Sequence, residues 1–526
     1  MNRYGNLFFA LLSGMLLFAA WPVSPLTPLI FVAFVPLLVM ESKVKKRKHF
    51  FGLLYLVMFI WNVSTTWWIW NASVPGAMAA FFANSFLMCL PWIGYRAAKK
   101  WLGPVAGYIA LVCFWMTFEF IHLQDWGLSW PWLTLGNVFA MHPEWVKWYS
   151  FTGTSGGSLW ILVVNILLFR YVSQALVNEG RNYKILGGAF IILVLPVVIS
   201  IMMCTSQATP VTTQNVVVVQ PNIDPYEKVA TGTFEAQLQL LIRTTESAID
   251  ENTALVVWPE TALYIDNRIE EETMKENYFL KPLWGFLQRH PGISLFTGIE
   301  SFRQMKTKTR YSVTYNDLHF ESYNGSVLLD SSGPLSFYHK SMLVPGVETL
   351  PWFLKFIDNW FDKFGGTTAG YAKQHDRNVL HEKHGFRLAP AICYESIYGE
   401  FMSKYIKNGA NLVCIITNDG WWENTPGHKQ HMNYARLRAI ETGTWIARSA
   451  NTGISCFIDP AGNVISPRPY NTRAVISHPI PVQPAAKTFF VTYGDLLSRL
   501  MIILSILLTG GIIARRVRSA IRARNN

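Results

Sequence analysis

The chain has 526 residues, of which 51% are hydrophobic and 15% are charged, and it contains 21 tryptophans. This composition is unusual for a soluble protein, and the length allows several domains. The net charge of +12 does not indicate a nucleic-acid partner, because most of the basic excess lies in short loops beside apolar runs and can be assigned to membrane topology.

Apolar runs are concentrated at the two ends of the chain. They lie at 7–40 (two runs separated by a Pro-rich turn), near 50–70, 77–95, 104–122, 158–177 and 185–204, and at 495–514. A helix needs about 20 apolar residues to cross a bilayer, so these runs predict eight spans. The first run alone is similar to a signal peptide, but six more follow it directly. We therefore predict a multi-pass membrane protein.

Basic residues predict the orientation. Four clusters fall on one side of the eight-span arrangement: KVKKRK at about 44–48, RAAKK at 96–100, GRNYK at 180–184 and RRVRSAIRARNN at 515–526. Loops rich in Lys and Arg stay in the cytoplasm, so that side should be cytoplasmic. The predicted domains are a membrane domain of seven helices at 1–204, an extracytoplasmic domain at 205–490, and a C-terminal span with a basic cytoplasmic tail at 491–526.

The pattern changes between about 212 and 485. Short β-branched runs such as NVVVVQPNI (215–223) and NLVCIITND (411–419) are bounded by Pro, Asn, Asp or Gly, as buried strands are. Helical stretches at 234–250 and 428–442 lie between some of them. Strands that are apolar on both faces and alternate with helices predict an α/β domain whose sheets are covered on both sides.

Three chemically reactive residues lie where predicted strands end: Glu260, Lys340 and Cys393. Each has a simpler explanation. Glu260 could be a solvated carboxylate, Lys340 a surface lysine, and Cys393 a small buried hydrophobic residue.

Together the three residues make a coherent nucleophilic site. A thiol is mostly protonated at neutral pH, and Glu260 could remove the proton of Cys393. Lys340 and the backbone N–H of Tyr394 could stabilise the oxyanion that forms when a carbonyl is attacked. Glu348 could hold the ammonium of Lys340 in place, and neither a metal nor a cofactor is expected.

The motifs around these residues identify a family. WPET (258–261), the run YHKSMLVPGVE (338–348) and CYES (393–396) resemble the Glu–Lys–Cys signature of the nitrilase superfamily, and NDGWW (418–422) fits the same pattern. With the flanking spans and DWGLSWPWLTLGN (125–137), the chain resembles the membrane-embedded branch of that superfamily, the apolipoprotein N-acyltransferases. The resemblance implies a membrane helix bundle joined to a nitrilase-like α-β-β-α sandwich.

The family's activity then becomes the expectation for this chain. An acyl chain would pass from a phospholipid, phosphatidylethanolamine being the expected donor, through a cysteine thioester to the α-amine of an S-diacylglyceryl-cysteine lipoprotein. The resemblance implies a location in the bacterial inner membrane, with the catalytic domain in the periplasm. Soluble members of the superfamily often dimerise, but a monomer is expected here because the membrane anchor makes one workable.

The resemblance also assigns roles to individual residues. Glu260 would be the base and acid, Lys340 the oxyanion partner and Cys393 the nucleophile. Supporting and substrate-binding roles are implied for Glu348, Glu395, Tyr394, Asn324, Asn418 and Trp421.

The chain departs from the family pattern in two places. VPGVE (344–348) stands where the family has Val-Pro-Phe-Gly-Glu, and QPNIDPYEKVA (220–230) lacks a tryptophan often found there. The first change keeps Glu348 at its usual spacing from the proline. The second weakens any transfer of the family's lipid contacts to this loop.

Two other functions were compared with the same sequence features. A membrane-tethered nitrilase-superfamily amidase would use the same three residues with water as acceptor. A transporter or scaffold would need paired charges inside the spans, and the spans contain few.

Two further features of the sequence bear on its function. The aromatic stripe of LPWFLKFIDNWFDKFGG (350–366) predicts a lid at the membrane surface rather than an ordinary packed helix. His428 and His431 have a spacing that can suit a metal, but an ordinary position on the helix surface or in helix packing is the better interpretation, because no carboxylate or third histidine has motif spacing.

Overall fold

The computed structural model describes residues 3–176, 182–203, 212–225, 234–265, 269–331, 333–349 and 370–525. The chain forms two compact units. Unit 1 comprises Met1–Trp67, Gly76–Met203 and Tyr493–Asn526, and unit 2 comprises Trp68–Pro75 and Cys204–Thr492. The short segment Trp68–Pro75, which the predicted boundaries place in the membrane domain, thus groups with unit 2.

Short 3-10 turns lie between some of the α-helices. In chain order the described α-helices are α1 (Arg3–Ala19), α2 (Val35–Lys43), α3 (Arg47–Thr66), α4 (Ile69–Ala72), α5 (Val74–Met78), α6 (Asn84–Leu87), α7 (Leu90–Leu102), α8 (Pro104–His122), α9 (Tyr149–Thr152), α10 (Thr154–Leu176), α11 (Tyr183–Met202), α12 (Phe234–Glu246), α13 (Lys281–Arg289), α14 (Gly399–Lys407), α15 (Pro426–Thr442), α16 (Phe489–Tyr493) and α17 (Leu496–Asn525).

Several helices of unit 1 are suited to a bilayer. In the described part of the chain, those long and apolar enough to cross a membrane are Arg47–Thr66, Val74–Leu102, Pro104–His122, Thr154–Gln174, Tyr183–Met202 and Leu496–Arg524. Tyr4–Ala19 is apolar but shorter. These helices agree with the expected membrane bundle.

The second of the eight predicted spans has a different form. It consists of a 3-10 turn, Thr27–Phe31, followed by the nine-residue helix α2. Each begins with a proline in its first turn, Pro28 and Pro36, and proline cannot continue a preceding helix. The hydropathy of the run predicts a span, and the two prolines divide this part of the chain into two short helices.

A buried asparagine compensates for this break. Asn165 of α10 accepts a hydrogen bond from the backbone N–H of Phe34 (2.8 Å) and donates one to the carbonyl of Ile30 (2.9 Å). Unpaired backbone groups in an apolar interior are costly, so this side chain stabilises the break between the two short helices.

Unit 2 contains two β-sheets. Its strands are β1 (Thr213–Gln220), β2 (Thr253–Val257), β3 (Ile269–Glu270), β4 (Ser294–Met305), β5 (Val313–Tyr315), β6 (Leu318–Leu329), β7 (Ser336–His339), β8 (Leu380–His381), β9 (Arg387–Ile392), β10 (Leu412–Thr417), β11 (Trp445–Ala450), β12 (Cys456–Ile458), β13 (Val464–Ile465) and β14 (Ala474–Pro481). Among the described strands the first sheet has the order β14-β1-β2-β4-β6-β5, with β3 beside β4 and β7 beside β6. The second sheet has the order β13-β12-β11-β10-β9-β8.

The two sheets lie between helical layers. On the first sheet, α12 and α13 bury Leu238, Leu241 and Phe286 against strand residues such as Val256 and Leu295. Side chains also join the sheets, since Ser449 of β11 donates a hydrogen bond to the carbonyl of Val219 (2.7 Å). The continuous Val and Ile runs of the central strands are buried because both faces are covered.

Candidate active site

Cys393 lies immediately after β9, where the chain turns into the short 3-10 helix Cys393–Ile397. Its φ is +53°, a left-handed conformation that non-glycine residues adopt rarely and that is concentrated at functional sites. The neighbouring strand β10 runs parallel to β9, so Asn418 follows β10 at the same edge of the second sheet. Cys393 is partly exposed, whereas Cys414 within β10 is buried.

Glu260 lies just beyond the carboxyl end of β2, in the first sheet, and is buried. The turn that presents it packs tightly on β4. A Cβ atom added to Gly298 would lie 2.4 Å from the backbone nitrogen of Thr261 and 2.6 Å from the Cα of Glu260. Only glycine at this position allows so close an approach, which places the carboxylate at the edge of the sheet.

Lys340 follows β7 directly and is 1% exposed. Its Nζ lies 2.8 Å from Oε1 of Glu348 and 3.3 Å from Oε1 of Glu260. Glu348 is held in turn by the backbone N–H of Val344, which donates to its Oε2 at 2.8 Å. The VPGVE turn, with Gly346 at φ +80°, therefore still brings Glu348 to Lys340.

Two asparagines orient these carboxylates. The amide of Asn324 in β6 donates one hydrogen bond to Glu260 and one to Glu348, each 2.9 Å long. The backbone N–H of Asn418 donates to the other oxygen of Glu260 at 3.1 Å. The Oδ1 of Asn324 is buried and has no hydrogen-bond partner in the described part of the chain.

The charges in the site determine the protonation states of Lys340 and Cys393 before any substrate binds. Burial alone would lower the pKa of Lys340, but the carboxylates of Glu348 and Glu260 outweigh it and hold that pKa well above its ordinary value. Burial raises the pKa of the Cys393 thiol strongly, and the negative charge of Glu260 raises it further, whereas Lys340 lowers it. The site therefore holds a charged lysine beside a neutral thiol.

Glu395 joins the lysine-bearing and cysteine-bearing segments. Its Oε1 accepts hydrogen bonds from the Tyr338 hydroxyl and the Ser341 N–H, both 2.7 Å, and its Oε2 accepts one from the Ile392 N–H at 2.8 Å. The side chain is fully buried, and burial raises its pKa. These contacts connect Glu395 to the backbone on either side of the site rather than to its open face.

The remaining predicted residues surround the same region. Tyr394 is buried and packs edge to face on Tyr398, with ring centroids 5.2 Å apart. Trp421 lies in the 3-10 turn Asp419–Trp422 and is 39% exposed. The predicted lid at 350–366 lies outside the described residues.

A buried polar network lies behind Cys393 and is not evident from the sequence motifs. Asp419 pairs with Arg448 (2.7 Å) and His431 (2.9 Å), and Nε2 of His431 lies 3.1 Å from the carbonyl oxygen of Cys393 and 2.9 Å from the Ser396 hydroxyl. Burial would raise the pKa of Asp419, but Arg448 and His431 outweigh it and hold the pKa well below its ordinary value.

The sequence contained part of the signal for this network. The sequence leaves helix surface and packing open for His431, and the structure shows that this side chain is completely buried. Its partners could not be recognised, because Asp419 and Arg448 lie on two other elements whose adjacency is decided by the sheet.

Comparison with known proteins defines the class. The family model described as carbon-nitrogen hydrolase matches residues 215–488, more than half of the chain. The chain therefore belongs to the carbon-nitrogen hydrolase family. A second family model, described as the apolipoprotein N-acyltransferase N-terminal domain, matches residues 13–167. Both parts of the resemblance seen in the sequence are confirmed.

Two named acyltransferases are similar to this chain along much of its length. An apolipoprotein N-acyltransferase of Chlorobaculum tepidum is 29% identical over 512 residues, which cover 93% of each chain. One of Rickettsia typhi is 29% identical over 398 residues, covering 75% of this chain and 74% of the relative. The crystal structure of Saccharomyces cerevisiae Nit3, a member of branch 10 of the nitrilase superfamily, is 16% identical with a TM-score of 0.38, and the match covers 56% of this chain and 97% of that one.

Proposed function

We propose that this protein transfers an acyl chain from a phospholipid, through a thioester on Cys393, to the N-terminal α-amine of an S-diacylglyceryl-cysteine lipoprotein. One observation carries the proposal: Glu260, Lys340 and Cys393 share one site in a chain that also has the acyltransferase N-terminal domain. Phosphatidylethanolamine is the proposed donor, and the periplasmic face of a bacterial inner membrane is the proposed location.

The first step begins with proton transfer. Ionising Cys393 alone would add a third negative charge beside Glu260, Glu348 and the single ammonium of Lys340. Transfer of the thiol proton to Glu260 avoids this, because the net charge of the site does not change. The sulfur then attacks the ester carbonyl carbon of the phospholipid and forms a C–S bond.

Charge develops next on the carbonyl oxygen of the donor. The ammonium of Lys340 and the backbone N–H of Tyr394 are the proposed donors to this oxyanion, and a preorganised ammonium in a buried site is effective because no water must reorganise. The ester C–O bond breaks as the carbonyl re-forms. The lysophospholipid oxygen takes the proton from Glu260 and leaves.

The second half-reaction uses the same groups in the other direction. The α-amine of the lipoprotein attacks the thioester carbonyl, and Glu260 accepts a proton from the nitrogen. The C–S bond breaks, an amide remains on the lipoprotein, and the Cys393 thiol is regenerated by the proton from Glu260. Donor and acceptor thus occupy the site in turn.

Mass spectrometry of the purified chain after mixing with phosphatidylethanolamine tests the proposal. An acyl mass is expected on the peptide that contains Cys393, and addition of a diacylated lipopeptide should clear it. Cys393→Ala should form no adduct, whereas the matched variant Cys414→Ala, which removes a buried thiol from the same sheet, should retain it.

Two outcomes would contradict parts of this mechanism. Lipopeptide acylation by Cys393→Ala at the native rate would exclude the thioester. Loss of the acyl group to water at the same rate with and without lipopeptide would indicate the amidase-type alternative, in which water is the acceptor.

A further inference from the structure

A second polar site lies in unit 1, which does not contain the catalytic residues. A cavity of about 830 Å³ opens beside the ends of α2, α3 and α7 and the C-terminal part of α17. The cationic side chains that line it are Lys45, Arg47, Arg96, Lys99, Lys100 and Arg516. Glu41 is the carboxylate among the lining residues.

Glu41 does not neutralise this charge. It is buried, and it pairs with Lys99 at 2.6 Å and with Arg96 at 3.3 Å. Within the described part of the chain, the lining residues Lys45, Arg47, Lys100 and Arg516 have no carboxylate partner. The cavity therefore retains an excess of positive charge after its internal ion pairs are formed.

One hydrogen-bond donor in the cavity wall also lacks a partner among the described residues. Arg96 donates from Nη2 to the carbonyl of Val44 (2.9 Å), and its guanidinium carbon lies 4.4 Å from the centroid of the Phe50 ring. Its Nη1 is buried and has no hydrogen-bond partner among the described residues. A phosphate oxygen is a matching acceptor for a guanidinium fixed in this way.

The position of Arg516 follows from helix packing. The α17 helix lies against α8, where the hydroxyls of Thr117 and Ser505 are 2.9 Å apart. Ile512 and Arg516 are one turn apart on α17, so both reach the cavity. A basic residue from the last helix thus joins basic residues from the first half of the chain.

The remaining walls of the cavity are apolar. Phe50, Phe51, Ile93, Trp101 and Ile512 line it, and Ile93 is 45% exposed. A ligand with an anionic headgroup and hydrocarbon chains would match both kinds of wall. Basic pockets between membrane helices bind anionic lipid headgroups, especially on the side of the membrane where Lys and Arg accumulate.

We propose that this cavity binds the phosphodiester headgroup of an anionic phospholipid from the leaflet on the basic-loop side. The site goes beyond the proposed acyl transfer and does not depend on it. None of its lining residues belongs to unit 2, which contains Glu260, Lys340 and Cys393.

Native mass spectrometry of the full chain in detergent tests this site. The probe is an equimolar mixture of phosphatidylglycerol and phosphatidylcholine with identical acyl chains. The native chain should retain phosphatidylglycerol in preference. The variant K45Q/K100Q/R516Q should reduce that retention at least about tenfold, because it removes three unpaired cations from the cavity.

A variant with the same loss of charge provides the control. K43Q/K46Q/R515Q removes three exposed cations from two of the three chain segments changed in the cavity variant, but none of them lines the cavity. It should change retention less than about twofold. Equal losses in the two variants would show diffuse surface attraction and overturn the proposal, as would native retention by the cavity variant.

A third arm separates a lipid from free phosphate. Inorganic phosphate at a concentration matched to the lipid phosphate should not displace phosphatidylglycerol, because it lacks the chains that contact the apolar walls. Displacement would assign the cavity to a free anion and overturn the lipid proposal. The thermal midpoints of all three chains establish whether each variant is folded.

Discussion

Burial controls the chemistry of Cys393. Its thiol pKa is raised because an additional negative charge is costly in this low-dielectric site and beside Glu260. A raised pKa means that the thiolate fraction at any working pH is smaller than that of an ordinary thiol. Cys393 should therefore react slowly with reagents that are attacked only by the thiolate.

Alkylation of Cys393 by iodoacetamide should follow this pKa. We expect the rate to rise about tenfold per pH unit from about pH 7 to about pH 9.5, past the ordinary thiol pKa of about 8.5. Peptide mapping measures the modification at each pH. The variant K340M should label still more slowly, because Lys340 lowers the thiol pKa. A plateau below about pH 8.5 would be inconsistent with a raised pKa.

Glu395 should contribute to the stability of unit 2. In Glu395→Gln the amide nitrogen must replace an oxygen that accepts a backbone hydrogen bond, which leaves two donors facing each other at Ile392 or at Ser341. We expect the free energy of unfolding of unit 2 to fall by about 1–3 kcal/mol, the usual cost of unsatisfied buried donors. Urea titration in detergent measures this change. E272Q, which changes an exposed carboxylate in the same unit, should leave the midpoint unchanged.

At the scale of elements, the segment Trp68–Pro75 is the least expected feature. The Trp68 side chain is 1% exposed, its indole N–H donates to Gln430 (3.3 Å), and its ring centroid lies 4.7 Å from that of Trp422. Gly427 faces the same ring, since a Cβ there would lie 2.6 Å from it. This segment is thus part of the core next to the Asp419–Trp422 turn.

Trp68→Ala should therefore destabilise unit 2. Truncation of a fully buried tryptophan costs about 3–5 kcal/mol, because the cavity that remains cannot close completely. Trp67 is the matched control, since it is the adjacent residue and is 45% exposed, and Trp67→Ala should have little effect. Thermal unfolding of both variants, followed by tryptophan fluorescence, measures the difference. Equal midpoints would show that the segment does not stabilise unit 2.

The hydropathy pattern predicts elements well where they are long and less well where proline intervenes. The helices α3, α8, α10, α11 and α17 coincide with predicted spans because long apolar runs have few alternatives to a helix in a membrane. The prediction of the second span rests on the total apolar length of its run. Its division into a 3-10 turn and α2 depends on two prolines and on the distant Asn165, which hydropathy does not include.

At the scale of the whole molecule, the basic clusters predict the orientation. A reporter fused after Asn526 tests this prediction. Green fluorescent protein at that position should fluoresce and alkaline phosphatase should be inactive, because the arginine-rich tail is expected to remain in the cytoplasm. The opposite pair of results would invert the proposed orientation and place unit 2 on the cytoplasmic side.

The sequence by itself determined the class of this protein: its apolar runs predict membrane helices, and the spacing of WPET, YHKSMLVPGVE and CYES identifies the hydrolase fold. These signals are local, because hydropathy and motifs depend on neighbouring residues. Tertiary structure alone decided that Asn324 orients Glu260 and Glu348, that His431 and Asp419 support the backbone of Cys393, and that basic residues from α7 and α17 share one cavity. Those arrangements join residues far apart in the chain, and their energies arise from burial and charge proximity that exist only when the sheets and helices have packed.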